Sequence, residues 1–227
     1  MVTVSQIEGF TLCLINKLGG ISMNITIFGA TGRVGNDVLK RALKDGHYVT
    51  ALVRTPSKLT PHENLTILEG DIRDFSLVNK AIEGADAVFS AIGTDKTTTL
   101  TEAIPLIIEA MSKEEVKRIV TIGTAGILQS RTNSELYRFQ STESKRRLTF
   151  AAEEHAKVFE LLAATNLEWT IVCPTYLPDG DATGEWRTER NFLPQDGAEV
   201  TVGDTAFFAY KELLNPQFVA SRVGIAY

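Results

Sequence analysis

The run Ile25-Thr26-Ile27-Phe28-Gly29-Ala30-Thr31-Gly32-Arg33-Val34-Gly35 constrains this chain more than any other stretch. A short β-branched segment, the pattern of a strand, stops at Gly29. Gly32 and Gly35 complete a G-x-x-G-x-x-G spacing, and Val38, Leu39, Ala42 and Leu43 then recur at helical intervals. The segment predicts strand, glycine turn, helix. Glycine suits such a turn because it accepts positive φ and lets the backbone approach a bulky anion with no Cβ in the way. The free N–H groups of the helix start, with the positive end of its dipole, then face that anion. A dinucleotide pyrophosphate is the usual occupant; the alternative is a tight strand–helix turn that binds nothing. The expected contacts come from Gly29, Thr31, Gly32, Arg33, Val34 and Gly35.

The rest of the chain repeats the pattern. His47–Val53 reads as a second strand, Leu65–Leu68 as a third and Ala87–Phe89 as a fourth. Arg118–Ile122 is a fifth and Trp169–Val172 a sixth, with Phe218–Ala226 as a final strand. Helical spacing falls between them: Phe75 to Ile82, a helix opened by a Thr99/Glu102 capping box, and Ala151 to Ala164. A last helix, capped by Asp204, runs to Leu214. Repeated βα units imply an α/β fold, a doubly wound parallel sheet in three layers, α/β/α. The 227 residues suit one such domain, from residue 23 to residue 227. Residues 1–22 precede the first strand and read as an N-terminal extension dispensable for the fold. Their other reading is a short amphipathic helix that packs on the body or a partner.

Bulk properties exclude several classes. A formal net charge of -5 leaves no general basic field for nucleic acid or anionic membrane. No apolar run approaches the length of a membrane span, and residues 1–22 lack the basic start of a secretory signal. Two cysteines, Cys13 and Cys173, are too few for a disulfide framework. They suggest a reducing, cytoplasmic compartment, and Cys173 reads as an inert buried thiol.

The second strand identifies the dinucleotide. An NAD-preferring site places an acid at the end of that strand, to bind the ribose hydroxyls. Here it ends Leu52-Val53-Arg54-Thr55, with no acid between His47 and Pro56. A guanidinium suits a 2′-phosphate, which it grips bidentately. Arg54 is therefore expected to select NADP(H) over NAD(H), with Arg33 reaching the same phosphate from the other side and Ser57 and Lys58 assisting. Asp71 and Ile72, after the third strand, are positioned to flank adenine, although Asp71 reads equally as a turn or cap residue. Ser90-Ala91-Ile92-Gly93 closes the fourth strand, and the small residues in this run let the backbone pass close to the ribose and nicotinamide half, with Ala91, Ile92 and Gly93 as expected contacts.

The motifs Gly29–Gly35, Leu52–Arg54, Glu69–Ile72, Ala91–Gly93, Thr121–Thr124 and Trp169–Pro174 together resemble the atypical short-chain dehydrogenase/reductases. More narrowly they resemble the NAD(P)H-binding, NmrA-like group that contains flavin reductases. The resemblance implies a Rossmann-like fold and a nicotinamide cofactor. It leaves two activities open: reduction of a planar acceptor, or cofactor sensing without catalysis. Most short-chain dehydrogenases use a Tyr-x-x-x-Lys pair for proton transfer. This chain has Leu52, Ser141, Gly180 and Leu214 four residues after Tyr48, Tyr137, Tyr176 and Tyr210. That absence argues against alcohol–ketone chemistry and against a nucleotide-sugar epimerase. Hydride transfer to a flavin or quinone needs less help, because solvent can supply the proton. The resemblance then implies catalytic roles for Thr124, beside the nicotinamide, and for Tyr176. Tyr176 stands where a flavin reductase of the group carries a histidine, which puts a proton role in doubt and leaves stacking on the acceptor. His155 reads more simply as a helix-surface or hydrogen-bonded residue.

Two irregular stretches, 125–149 and 174–194, are expected to shape the acceptor pocket, since long loops in compact domains usually serve binding. The first carries Arg131, Arg138, Lys145, Arg146 and Arg147; the second carries Tyr176, Trp186 and Phe192 as covers for a planar ligand. Their other reading is a solvated charge run and hydrophobes packed onto the body. Nothing in the spacing of His, Cys, Asp and Glu suggests a metal site. The family permits a monomer or a weak homodimer.

Overall fold

A computed structural model describes residues 22–94, 96–144 and 147–227. The expectations for residues 1–21, with Cys13, and for Lys145 and Arg146 lie outside the described residues. The first strand, β1 (Asn24–Phe28), leads through the glycine turn into α1 (Arg33–Lys44) and then β2 (Tyr48–Val53). β3 (Leu65–Glu69), α2 (Phe75–Ile82), β4 (Ala87–Ser90), α3 (Thr99–Lys113) and β5 (Arg118–Ile122) follow. After a long connection come α4 (Phe150–Ala163), β6 (Glu168–Pro174), β7 (Arg187–Arg190), α5 (Val202–Leu214) and β8 (Ser221–Ala226).

The strands form one eight-stranded sheet in the order β3-β2-β1-β4-β5-β6-β8-β7. All neighbours are parallel except β7 and β8. The order 3-2-1-4-5-6 is that of a doubly wound Rossmann sheet, whose ligand crevice opens where the order reverses, between β1 and β4. Alternate residues feed two cores. Ile25, Ile27, Phe89, Val120 and Val172 pack under α1 and α5. Phe28, Val88, Ile119, Ile171 and Cys173 pack under α2, α3 and α4. Period-2 alternation with apolar residues on both faces is what a sheet covered on both sides requires. A buried ion pair pins β5 to α5: the Arg118 guanidinium lies 3.3 Å from the Glu212 carboxylate and also donates to the carbonyl of Glu168 and the hydroxyl of Thr170.

Three local expectations need correction. The cap of α5 is Thr201, whose hydroxyl accepts from the Asp204 N–H at 3.1 Å. Asp204 is instead fully buried one turn in, holding the 183–184 turn through two backbone N–H groups and the Thr183 hydroxyl. The cap of α3 is Thr98 rather than Thr99. The segment 174–194 is not all irregular, because Arg187-Thr188-Glu189-Arg190 pairs antiparallel with β8. This edge strand carries charges instead of alternating apolar residues, as exposed edges do, and so leaves no strand signature.

Candidate cofactor cleft and adjoining cavity

The turn after β1 shows why three glycines stand there. Gly29 has φ of +80°, and a Cβ on it would lie 2.4 Å from the carbonyl oxygen of Ala91. The end of β1 thus presses on the end of β4. A Cβ on Gly35 would lie 2.2 Å from the Gly29 carbonyl oxygen, so the helix start presses on the strand end. Gly32 bends back to donate to Gly29 at 3.0 Å and begins α1. No side chain caps α1 and no acid occupies its first turn. Its orphan N–H groups and positive dipole end are therefore left for another anion.

That turn is one wall of a cleft of about 280 Å³ at the sheet's switch point. The cleft collects Gly29, Thr31 and Gly32 from the turn, Arg54 from the end of β2, Asp71 and Ile72 from the end of β3, and Ala91, Ile92 and Gly93 from the end of β4. They meet because parallel strands β3, β2, β1 and β4 are neighbours and all end at this edge. Thr99, at the start of α3, completes the wall and was not anticipated. Val34 and Gly35 are buried behind the turn rather than lining the cleft.

The charged residues separate. Arg54 is exposed at the cleft and makes no ion pair among the described residues. Arg33 does not join it. Its guanidinium turns the other way, donating to the Leu177 carbonyl at 3.0 Å and the Asp179 carboxylate at 2.8 Å. The Asp71 carboxylate takes both oxygens to Arg73, each at 2.9 Å, and also accepts the Arg73 N–H. Those Arg73 hydrogen bonds hold its pKa down at about 2, with Arg54 contributing as a nearby charge. Asp71 is thus a turn residue, as one of its two sequence readings has it, and it also lines the cleft. Ser57 and Lys58 lie in a short 3₁₀ turn and do not line the cleft.

Thr124 and Tyr176 come together in a second cavity, of about 500 Å³. Thr124 follows β5 and Tyr176 follows β6, and β5 lies between β4 and β6, so this cavity opens beside the cleft. The Thr124 hydroxyl accepts from the Gly126 N–H at 3.4 Å and starts a 3₁₀ turn. Tyr176 is 61% exposed and Leu148 is 89% exposed, both on the cavity's edge. Phe139 and Arg138 line it as well. Phe139 was not singled out from sequence, since nothing in its spacing separates it from any loop aromatic.

The other two aromatics expected at this cavity are elsewhere. Trp186 packs edge-to-face on Phe207 and Phe208 of α5, with ring centroids 5.5 and 6.1 Å apart. Phe192 lies under the Arg131 guanidinium at 4.9 Å. Both cover the body of the protein because α5 and the 187–194 strand-and-turn offer apolar area closer in space than the cavity does. Burial pushes the His155 imidazole down to about 4, and pushes the Cys173 thiol up to about 12, so neither carries charge near neutrality. Among the described residues no helix is long and apolar enough to cross a membrane, and no cluster of metal-ligating side chains occurs.

Comparison with known proteins agrees with this architecture. The sequence profile of the NAD(P)H-binding family matches residues 29–216. The uncharacterized protein YwnB of Bacillus subtilis is 29% identical over 209 residues, covering 88% of this chain and 96% of YwnB. A structure from Bacteroides thetaiotaomicron, provisionally named an epimerase, superposes with a TM-score of 0.79 at 27% identity, covering 91% of this chain and 98% of that one. A Streptococcus pneumoniae structure, provisionally named an NADH-flavin reductase, gives 0.77 at 24% identity, covering 90% and 99%. The glycine turn, the cleft at the switch point and this profile across most of the chain lead to one conclusion: the chain belongs to the NAD(P)H-binding family.

Proposed function

We propose that the protein is an NADPH-dependent reductase that passes hydride to a planar, conjugated acceptor of the flavin or quinone type. One observation carries this reading: the cofactor cleft and the cavity edged by Thr124 and Tyr176 are side by side at the carboxyl edge of the sheet. The uncapped start of α1 and the glycine backbone fit a pyrophosphate. Arg54, uncommitted at the far end, suits a 2′-phosphate. When bound, the nicotinamide supplies a hydride, and the acceptor becomes reduced by that hydride and one solvent proton.

The chain's own residues bind, orient and cover. The Thr124 oxygen accepts from Gly126, which leaves its hydroxyl hydrogen for a carboxamide or acceptor oxygen. Tyr176 presents an exposed ring for stacking. Holding two planes together in reactive geometry is the main contribution such a site makes. The lack of a Tyr-x-x-x-Lys pair supports this reading over an epimerase. The name of the Streptococcus neighbour supports a flavin-type acceptor.

The test is NADPH oxidation followed by absorbance with FMN, FAD and simple quinones. Saturable turnover that falls at least tenfold in Thr124→Val or Tyr176→Ala supports the reading. Tight NADPH binding without turnover across the panel would replace it with a cofactor sensor.

A further inference from the structure

We infer that the acceptor carries an oxyanion, a phosphate or carboxylate, and that Arg138 is the specificity-determining residue that reads it. This deepens the reductase reading and rests on it for the identity of the cavity. The inference starts from the shape of the space. The cavity edged by Thr124 and Tyr176 shares a wall with a smaller one of about 200 Å³, lined by Gln129, Arg131 and Gln195 among others. Arg138, Glu143 and Gly197 line both, so Arg138 stands where the two meet. Phe139 and the exposed Tyr176 and Leu148 offer the first cavity's apolar contact. The smaller cavity is mixed in character: Leu193, Pro194 and the Asp196 carboxylate line it beside the Gln195 amide, the Gln129 amide N–H groups are spent on the Ser134 and Leu136 carbonyls, and Arg138 and Glu143 stand at its neck.

The guanidinium at that neck is uncommitted. Its side chain is only 20% exposed, and its one ionic neighbour among the described residues is Glu143, 3.7 Å from Nε, beyond hydrogen-bond length. Neither Nη of Arg138 has a hydrogen-bond partner among the described residues. Glu143 Oε2 is engaged by the Arg131 N–H at 2.9 Å and the Ser141 hydroxyl at 3.3 Å, which leaves only Oε1 facing Arg138. Arg131 makes the contrast. Its Nη2 donates to the Glu189 carboxylate and the Leu193 carbonyl, and its guanidinium lies over Phe192, so its charge already has an ionic partner within hydrogen-bond length. A half-buried guanidinium with four unused N–H donors, set in a fork that matches phosphate and carboxylate, is a recognition element for an oxyanion. A planar body against Phe139 and Tyr176 puts a charged tail at Arg138.

Two matched acceptor pairs test this: FMN against riboflavin, and a carboxylated naphthoquinone against its neutral parent. With saturating NADPH, KM for the charged member of at least one pair is expected to be at least tenfold lower, with kcat similar. Arg138→Gln should erase that ratio by raising KM for the charged acceptor alone, with NADPH affinity unchanged as the folding control. Arg138→Lys should restore part of it, because charge remains while the fork is lost. Glu143→Gln should lower KM for the charged member by removing the competing carboxylate. Equal KM within both pairs, or an unchanged ratio in Arg138→Gln, overturns the inference. Ligand titrations on NADP⁺-loaded protein, read by flavin fluorescence or calorimetry, separate the two claims. Preferential binding of the charged member without turnover keeps the inference and removes the reductase reading. Turnover with parity does the reverse, and binding of none of the four overturns both.

Discussion

Arg54→Ala tests the proposed preference for NADP(H). Arg54 is exposed on the cleft and has no ion pair among the described residues, so its removal costs the fold little. Asp71, whose carboxylate feels the Arg54 charge, remains saturated by Arg73 and is not orphaned. A surface change of this kind stays within about 0.5 kcal/mol, or about 1–2 °C in Tm for a chain of this size. A hydrogen-bonded contact to a charged group contributes about 1.5–3 kcal/mol. Exposure of the guanidinium screens the contact toward the lower end, about 1.5–2 kcal/mol. At 1.4 kcal/mol per decade, NADPH affinity should fall by about 10- to 30-fold. NADH, which lacks the 2′-phosphate, should change by less than about threefold. Calorimetric or fluorescence titration of both cofactors at one low ionic strength reads this directly. Equal weakening of both, or unchanged NADPH affinity, would refute the phosphate-clamp argument.

Gly35→Ala should be severe, since its Cβ would meet the Gly29 carbonyl oxygen at 2.2 Å, backbone against backbone. Overpacking of this kind costs about 1–3 kcal/mol or more, and NADPH binding should vanish with it; an unaltered melting curve and Kd would show that the turn has slack. Arg118→Met strips the buried Glu212 carboxylate of its cation, leaving the Gln217 and Phe218 N–H groups and the Thr170 hydroxyl. Breaking such a pair costs about 3–5 kcal/mol, near 10 °C in Tm at roughly 2–4 °C per kcal/mol, and a drop under about 3 °C would make the pair dispensable. His155 is held neutral by burial, its pKa pushed down to about 4, and His47 is lowered in the same way. Above about pH 6.5 the unfolded chain binds no extra proton there. Between that pH and about 4 it does, so stability falls as pH falls through this window, by up to about 3 kcal/mol for His155. Thermal melts from pH 7.5 to 4 should show the decline, reduced in His155→Gln; identical slopes for both proteins would exclude His155 as its source.

Most of the site was legible where the signal is local. The glycine spacing, Arg54 after β2, Asp71-Ile72 after β3 and Ala91–Gly93 after β4 each sit directly after a strand. Parallel strands in Rossmann order deliver every strand end to one edge, so residues far apart in the chain meet without any contact being known in advance. The partner of Arg33 was not legible, because Asp179 is 146 residues away and no pattern links them. The same holds for Arg138 and Phe139, which share a cavity with Tyr176 although no sequence pattern links them.

The sequence by itself determined the α/β alternation, the glycine turn, the two-faced sheet and the lack of an acid after β2, because each is written in residue types and in periods of 2 and 3.6. Only the tertiary structure decided which side chains share a cavity. It sent Trp186 to α5 and Arg33 to Asp179, took the capping role from Asp204, and left Arg138 at a junction between two spaces. Loops carry no periodicity, and their side chains settle by competition among surfaces that come together only once the sheet has formed.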